Sequence, residues 1–154
     1  MNAALYERDA AHVKPPSKSP GDLTSPSPLV LVVDDDSAGR EMLADILAHQ
    51  GYRVFEAANG RQAIDQLATR AEAARLIVLD LDMPVMNGWE FLDHQNLLQD
   101  PLAAKIVVIT GHDQAPIAGT SAVLKKPLEI VRFLELVRQL LKPIDVVSPD
   151  PARK

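Results

Sequence analysis

The sequence predicts an α/β protein built on a doubly wound, five-stranded parallel sheet. Short apolar runs alternate along the chain with segments of helical periodicity. Several of these runs are apolar without interruption, as in strands that are covered on both faces. A repeating strand–helix order implies parallel strands with helices on both sides of the sheet. Residues 29–141 are predicted to form this domain.

The strands are predicted first, from apolar runs that are bounded by polar or turn-forming residues. They are far too short to span a bilayer. The predicted strands are residues 29–33, 52–56, 76–79, 106–109 and 122–124.

Helices are predicted wherever apolar residues recur at helical spacing. The predicted full helices are residues 37–50, 60–73, 88–99 and 128–141. Ser37 and Asn59 are predicted N-caps, and Asn87 with Glu90 resembles a capping box. Gly51 suits the end of the first helix.

The segment between the last two strands, residues 111–120, is predicted to hold only a shortened fourth helix. It contains the helix breakers Gly111, Pro116 and Gly119. A segment of this length with those residues leaves about one helical turn after its connections.

The ends of the chain differ in composition from its body. Residues 1–28 are rich in proline and serine and are predicted to be a disordered arm, and residues 142–154 a flexible tail.

The chain has no cysteine, which excludes disulfides and thiolate metal sites. It begins without the apolar stretch of a signal peptide, so we expect a soluble, cytoplasmic protein. A net charge of −5 disfavours direct nucleic-acid binding.

Polar residues follow four of the five predicted strands. The first strand ends at Asp34 and Asp35, the third at Asp80, the fourth at Thr110, and the fifth near Lys126. Ligands of parallel α/β sheets bind outside the carboxyl ends of the strands. We therefore expect these side chains to meet in one crevice although they are distant in sequence.

The chemistry of such a crevice follows from its residue types. Carboxylates about 4 Å apart repel by about 4 kcal/mol per pair at an effective dielectric near 20. A hard divalent cation relieves that repulsion, and Mg²⁺ favours a few carboxylate oxygens together with waters and a substrate phosphate. The lysine could pair with a phosphoryl group, and the threonine hydroxyl could donate to it. An aspartate can itself be a nucleophile that forms an aspartyl phosphate.

Four strings of sequence resemble the receiver domains of two-component response regulators. They are VVDDD at 32–36, LDLDMPVMNG at 79–88, ITG at 109–111 and KP at 126–127. They occur in the family's order, and the resemblance covers residues 29–141. It implies a flavodoxin-like topology and a role in phosphorelay signal transduction.

The resemblance also assigns roles to the strand-end residues. Asp80 is expected to accept the phosphoryl group, while Thr110 and Lys126 contact it. The bond between Lys126 and Pro127 is expected to be cis.

For the metal, the resemblance implies Mg²⁺. Asp35, Asp80 and the backbone carbonyl of Asp82 are expected to coordinate it. Asp34 would act mainly through a metal-bound water.

The implied partners are proteins. A sensor histidine kinase or a histidine phosphotransfer protein would donate the phosphoryl group, and an unknown downstream protein would respond. Residues 142–154 are too few for an output domain. We therefore expect signalling through protein–protein contacts, by a monomer or weak dimer that does not bind nucleic acid or a membrane. The expected chemistry is limited to self-phosphorylation and self-dephosphorylation, so the chain is not expected to be an enzyme.

Some features depart from the family pattern. Asp82 and His112 are expected to flank the acceptor, and Val123 occupies a position that is aromatic in many relatives.

Two other functions remain open. The Asp80-Leu81-Asp82 string also resembles the catalytic pair of haloacid-dehalogenase-type phosphohydrolases, although those enzymes place the pair at the first strand. A pseudo-receiver that acts only as a scaffold is the second alternative.

Overall fold

The structure, a computed structural model, describes residues 13–16, 26–97, 104–113 and 115–142. It confirms the predicted α/β fold. The five strands are β1 Leu29–Val33, β2 Arg53–Ala57, β3 Leu76–Asp80, β4 Lys105–Thr110 and β5 Ala122–Lys125. Within these described ranges, the helices are α1 Ser37–His49, α2 Gly60–Thr69, α3 Gly88–Leu97 and α4 Ile130–Leu140. None of these helices has the length and apolar character needed to cross a bilayer.

The sheet is parallel throughout, in the order β2-β1-β3-β4-β5. This is the strand order of flavodoxin-like folds, in which ligands bind where the order reverses between β1 and β3. Both strands are buried along their whole length. The site predicted from the sequence therefore lies at the centre of the sheet.

Two hydrophobic layers cover the sheet, because alternate residues of a strand face opposite sides. One layer packs α2 and α3 against the sheet around Phe55 and Phe91. The other packs α1 and α4 around Leu47 and Phe133. All four of these side chains are fully buried.

The helix ends mostly follow the predicted caps. Asn59 accepts from the backbone N–H of Gln62, and Gly51 has a φ of +94° just after α1. The capping box of α3 is complete, since Asn87 and Glu90 each accept from the other's N–H at 2.9 Å.

The predicted cap of α1 is wrong by one residue. Asp36, rather than Ser37, is the N-cap, and its carboxylate accepts from Gly39 N–H at 3.1 Å. Both residue types cap helices well, so composition alone does not decide between them.

Helix α2 ends at Thr69, earlier than predicted. The backbone is extended at Arg70, whose guanidinium lies 4.0 Å from the centre of the Phe55 ring. Helix α3 is described as far as Leu97, so the last two residues of its prediction lie outside the described residues.

The segment between β4 and β5 forms no helix within residues 111–113 and 115–121. A turn at Ala118 and Gly119 takes the place of the predicted helical turn, and Gly119 has a φ of +81°. Ile117 packs against the layer that also contains α2 and α3. One face near β5 is therefore covered by an irregular segment.

Part of the arm predicted to be disordered pairs with the sheet. Lys14 N–H donates to Val54 O at 2.7 Å, and Val54 N–H donates to Lys14 O at 3.2 Å. Lys14 also forms an ion pair with Asp45 of α1. This pairing covers part of the outer edge of β2, and Pro15 and Pro16 cannot donate to extend it. Residues 1–12, 17–25 and 143–154 lie outside the described residues.

Gly88 allows the start of α3 to approach the backbone at the end of β3. A Cβ atom at this position would lie 2.5 Å from Asp80 O and 2.8 Å from Leu81 Cα. We predict that Gly88→Ala destabilises the protein by about 1–3 kcal/mol in urea unfolding, because backbone atoms must move. Gly111→Ala is the control, since its Cβ would meet nothing within 4 Å. Equal stability of the two variants would contradict this packing.

Candidate functional site

The strand register brings the polar residues to one level. Val33 is paired with Leu79, and Asp80 is paired with Ile109. Asp34 and Thr110, the next residues along β1 and β4, therefore lie beside Asp80 at the carboxyl end of the sheet. The register alone places two carboxylates and a hydroxyl in adjacent positions.

Three carboxylates form an acidic cluster at this edge. Oxygens of Asp34, Asp35 and Asp80 all lie within 4.8 Å of one another. Asp34 and Asp80 are buried, whereas Asp35 is exposed. Within the described ranges, no other group of three or more acidic, histidine or cysteine side chains has ligand atoms this close. The donor set consists of oxygens alone, which suits a hard divalent cation.

Lys126 is the cation that faces the cluster. Its Nζ lies 3.5 Å from Asp80 Oδ2 and 3.7 Å from Asp34 Oδ2. Burial lowers the pKa of Lys126, but the charges of Asp34 and Asp80 outweigh burial and leave the pKa above its usual value. Lys126 N–H also donates to Thr110 O at 2.8 Å. The expected cis bond between Lys126 and Pro127 is present.

The pKa of Asp80 is raised above its usual value. Burial is the main cause, and the negative charge of Asp34 adds to it. A hydrogen bond from Asp82 N–H and the charge of Lys126 act in the opposite direction without cancelling the rise. The Lys126 ammonium group therefore does not fully compensate the carboxylates around it. A buried carboxyl with a perturbed pKa is typical of a functional site.

Thr110, Asp82 and His112 form the wall of the site on the β4 side. Thr110 is fully buried, and its Oγ1 accepts from His112 N–H at 3.2 Å. Asp82 N–H donates to Asp80 Oδ1 at 3.3 Å. The side chains of Asp82 and His112 meet at 3.0 Å, between Oδ2 and Nε2. Asp82 and His112 are therefore linked to each other and, through their backbone N–H groups, to Asp80 and Thr110.

The structure brings Asp34, Asp35, Asp80 and Lys126 into one group, with Thr110 beside it. The Asp82 carboxylate is not part of the cluster and turns toward His112 instead. This leaves only the backbone carbonyl of Asp82 as its expected contribution to a metal site.

Two site residues are absent from the sequence-based prediction. Arg40 donates to the backbone carbonyl of Asp34 and pairs with Glu56 of β2. The sequence shows only that Arg40 is a charged residue near the start of a predicted helix. No sequence pattern indicates that it contacts Glu56.

A cavity of about 560 Å³ lies away from this site, between the end of α2 and the start of β2. None of its lining residues belongs to the acidic cluster. Two of them, Arg53 and Glu72, form an ion pair across it. The chemistry of the acidic site therefore depends on clustered charge rather than on an enclosed cavity.

Comparisons with known proteins identify the family of this site. A family model described as the response regulator receiver domain matches residues 30–138. The chain is 29% identical over 118 residues to sporulation initiation phosphotransferase F of Bacillus subtilis, covering 73% of this chain and 92% of that protein.

The chain is also 37% identical over 119 residues to response regulator MprA of Mycolicibacterium vanbaalenii, covering 73% of this chain. It spans only 50% of the length of that relative. Among solved structures, a response regulator receiver protein from Pseudomonas putida has a TM-score of 0.68 and 28% identity. That comparison covers 75% of this chain and 99% of the other.

We predict that Asp80→Asn stabilises the metal-free protein at neutral pH. The pKa of Asp80 is raised, so the folded chain holds a proton at this carboxyl more tightly than the unfolded chain does. Ionisation therefore destabilises the fold. That cost is absent below the unfolded pKa, near 3.8, and grows as the pH rises through the folded pKa.

Urea unfolding with a chelator present measures this effect. The gain from Asp80→Asn should be largest near neutral pH and should shrink as the pH falls toward the pKa of unfolded aspartate. Asp93→Asn, at an exposed position of α3, removes the same charge and should give no comparable gain. A less stable Asp80→Asn protein at neutral pH would contradict the prediction.

Proposed function

Because this chain belongs to the response regulator receiver family, we propose that it accepts a phosphoryl group on Asp80 from a histidine kinase or a histidine phosphotransfer protein. One observation carries the proposal. Asp80 is a buried carboxylate at the end of a central strand, where it lies in the acidic cluster with Asp34 and Asp35 and 3.5 Å from Lys126 Nζ. The phosphohydrolase alternative is not supported, because the family match covers nearly the whole domain.

In the proposed reaction, a carboxylate oxygen of Asp80 attacks the phosphorus of a phosphohistidine. The new P–O bond forms as the P–N bond breaks, and the electron pair remains on the imidazole nitrogen. The raised pKa of Asp80 fits this role, because a more basic carboxylate is a better nucleophile. The product is an aspartyl phosphate.

Lys126 and Thr110 are proposed to hold the transferred group. The Lys126 ammonium already lies within 3.7 Å of two carboxylates, so an added phosphoryl group on Asp80 would come within its reach. Its raised pKa keeps it protonated. The Thr110 hydroxyl accepts from His112 N–H, which leaves its own proton to donate to a phosphoryl oxygen.

The acidic cluster is proposed to bind Mg²⁺. Asp35, Asp80 and the backbone carbonyl of Asp82 would hold the ion, and Asp34 would act through a bound water. The oxygen-only donor set and the spacing of its carboxylates fit such an ion. When bound, the ion would neutralise negative charge on the phosphoryl oxygens during transfer.

The output is proposed to consist of protein–protein contacts of a cytoplasmic monomer or weak dimer. The acidic charge of the chain favours protein partners over nucleic acid. Val123 packs against the hydrophobic layer that also contains α2 and α3, so the aromatic switch of many relatives has no equivalent at this position. A different movement near β5 would then transmit the signal.

The first test is incubation with acetyl phosphate and Mg²⁺, followed by intact-mass analysis. We predict one added phosphoryl group per chain in the wild type, and none in Asp80→Asn or in the presence of a chelator. Asp93→Asn is the matched control and should be labelled like the wild type. Undiminished labelling of Asp80→Asn would refute the assignment of the acceptor.

Metal binding should stabilise the fold, because it relieves repulsion among the three carboxylates. A ligand present at about 100 times its Kd stabilises the folded state by about 2.7 kcal/mol. We predict that Mg²⁺ raises the melting temperature of the wild type, and raises it much less in Asp35→Asn. Asp36→Asn is the control, since asparagine can still cap α1 and Asp36 lies outside the cluster. A full Mg²⁺ response in Asp35→Asn would remove Asp35 from the site.

The pair of Asp82 and His112 should set the lifetime of the aspartyl phosphate. The two side chains pair with each other and are exposed, and Asp82 N–H donates to Asp80 Oδ1, so the pair is proposed to steer or obstruct an attacking water. We predict that Asp82→Asn and His112→Ala change the dephosphorylation rate severalfold while the labelling yield is preserved. Asp113→Asn, which instead removes the partner of Lys125, should leave the rate within about twofold. Unchanged lifetimes in both Asp82→Asn and His112→Ala would contradict the prediction.

A further inference from the structure

Arg40 connects the acidic turn to the neighbouring strand. It extends from the first turn of α1, and its Nη1 donates to the backbone carbonyl of Asp34 at 2.7 Å. Its Nε donates to Glu56 Oε1 at 3.2 Å. The side chain is 17% exposed, so this contact is screened from solvent more than a surface ion pair is.

Three hydrogen bonds hold Asp34 in place. Its N–H donates to Ala57 O at 3.1 Å, and its carbonyl accepts from Arg40. Its Oδ1 accepts from Asp36 N–H at 2.9 Å. The remaining carboxylate oxygen, Oδ2, is the one that faces Lys126. Removing one of these bonds would leave the turn with fewer restraints on the direction of that oxygen.

Glu56 is itself held in place by the sheet and by α2. It lies in β2 opposite Val32, and its backbone carbonyl accepts from Gln66 Nε2 at 2.8 Å. Its backbone is therefore held in place, and its carboxylate accepts from Arg40 Nε. Through these contacts the position of the Asp34 peptide depends on β2 and α2 as well as on β1.

We propose that Arg40, oriented by Glu56, is a positioning residue that holds Asp34 and Asp35 in the geometry needed for Mg²⁺ binding. The inference rests on the proposed function. Asp34, Asp35 and Asp80 repel one another, so an unbraced turn would relax by moving its carboxylates apart. Arg40 prevents this because it holds the peptide carbonyl and leaves the cluster's carboxylate oxygens to the metal.

The direction in which Mg²⁺ affinity changes when Arg40 is removed distinguishes a positioning role from a general effect of its positive charge. If Arg40 acted only as a nearby positive charge, its removal would tighten Mg²⁺ binding. If Arg40 positions the turn, its removal weakens Mg²⁺ binding. Loss of a residue that orients a metal ligand typically costs about 10–100-fold in metal affinity.

Isothermal titration calorimetry of Mg²⁺ into the full chain tests the proposal. We expect Arg40→Met to weaken binding at least about tenfold. Arg40→Lys keeps the charge but cannot reproduce the two-pronged contact, so its affinity should lie between wild type and Arg40→Met. Arg75→Met is the matched control, because Arg75 is exposed at the opposite end of the sheet and should leave the affinity unchanged.

Variants of Glu56 test whether its contact with Arg40 is needed to orient the arginine side chain. Glu56→Gln keeps an acceptor for Arg40 and should retain Mg²⁺ affinity within about threefold, whereas Glu56→Leu should weaken it severalfold. If Arg40→Met does not fold in thermal melts, Arg40→Lys and Glu56→Leu provide the test, and both should bind Mg²⁺ more weakly than wild type.

Unchanged or tighter Mg²⁺ binding in the folded Arg40 variants overturns the positioning role while the proposed function stands. A wild type that shows no Mg²⁺ binding removes the metal site itself, and this inference with it. The two failures are therefore distinguished by the wild-type titration.

Discussion

The repulsion among three carboxylates at one end of the sheet is the constraint on which the site depends. Pairing between β1 and β3 brings the backbones of Asp34 and Asp80 side by side, so the register of the two strands places their carboxylates close together. Lys126 reaches both, but the pKa of Asp80 remains raised. The fold thus maintains an excess of negative charge that a cation can relieve. The folded protein is destabilised by this repulsion, and a cation that relieves it therefore binds more favourably at this edge of the sheet.

The surrounding structure keeps that charge concentrated. Asp36 directly follows two members of the cluster, and its carboxylate caps α1 instead of joining them. Gly88 lets α3 start close against the backbone of Asp80 and Leu81. Arg40 holds the peptide of Asp34 from the side of β2. Each contact restricts the loops that carry the carboxylates, so that the arrangement is largely formed before any ligand arrives.

Much of this arrangement could be predicted from the sequence. Buried parallel strands are continuous apolar runs and can be located from the sequence. Residues at the carboxyl ends of such strands meet at one edge of the sheet, which predicts that Asp34, Asp35, Asp80 and Lys126 lie together even when the loops are unknown. The strand boundaries therefore agree closely with the prediction, and the expected cluster is present.

The features that were missed depend on contacts between distant elements. Arg40 and Glu56 are charged residues of two different elements, and no periodicity indicates that they meet. Lys14 belongs to a proline-rich stretch whose composition indicates disorder, yet the free edge of β2 offers backbone partners to it. Between β4 and β5, the breakers correctly exclude a full helix, but they do not indicate that a turn would replace even the shortened one.

The central claim is that the acidic cluster, Thr110 and Lys126 together form one site for a metal ion and a phosphoryl group. A crystal structure with Mg²⁺ and trifluoroberyllate, a phosphoryl mimic, tests it most directly. We expect the mimic on the Asp80 carboxylate, the metal on Asp35 and Asp80, and fluorine atoms within hydrogen-bond distance of Thr110 Oγ1 and Lys126 Nζ. A mimic bound to another residue, or a metal held away from Asp35 and Asp80, would contradict a shared site.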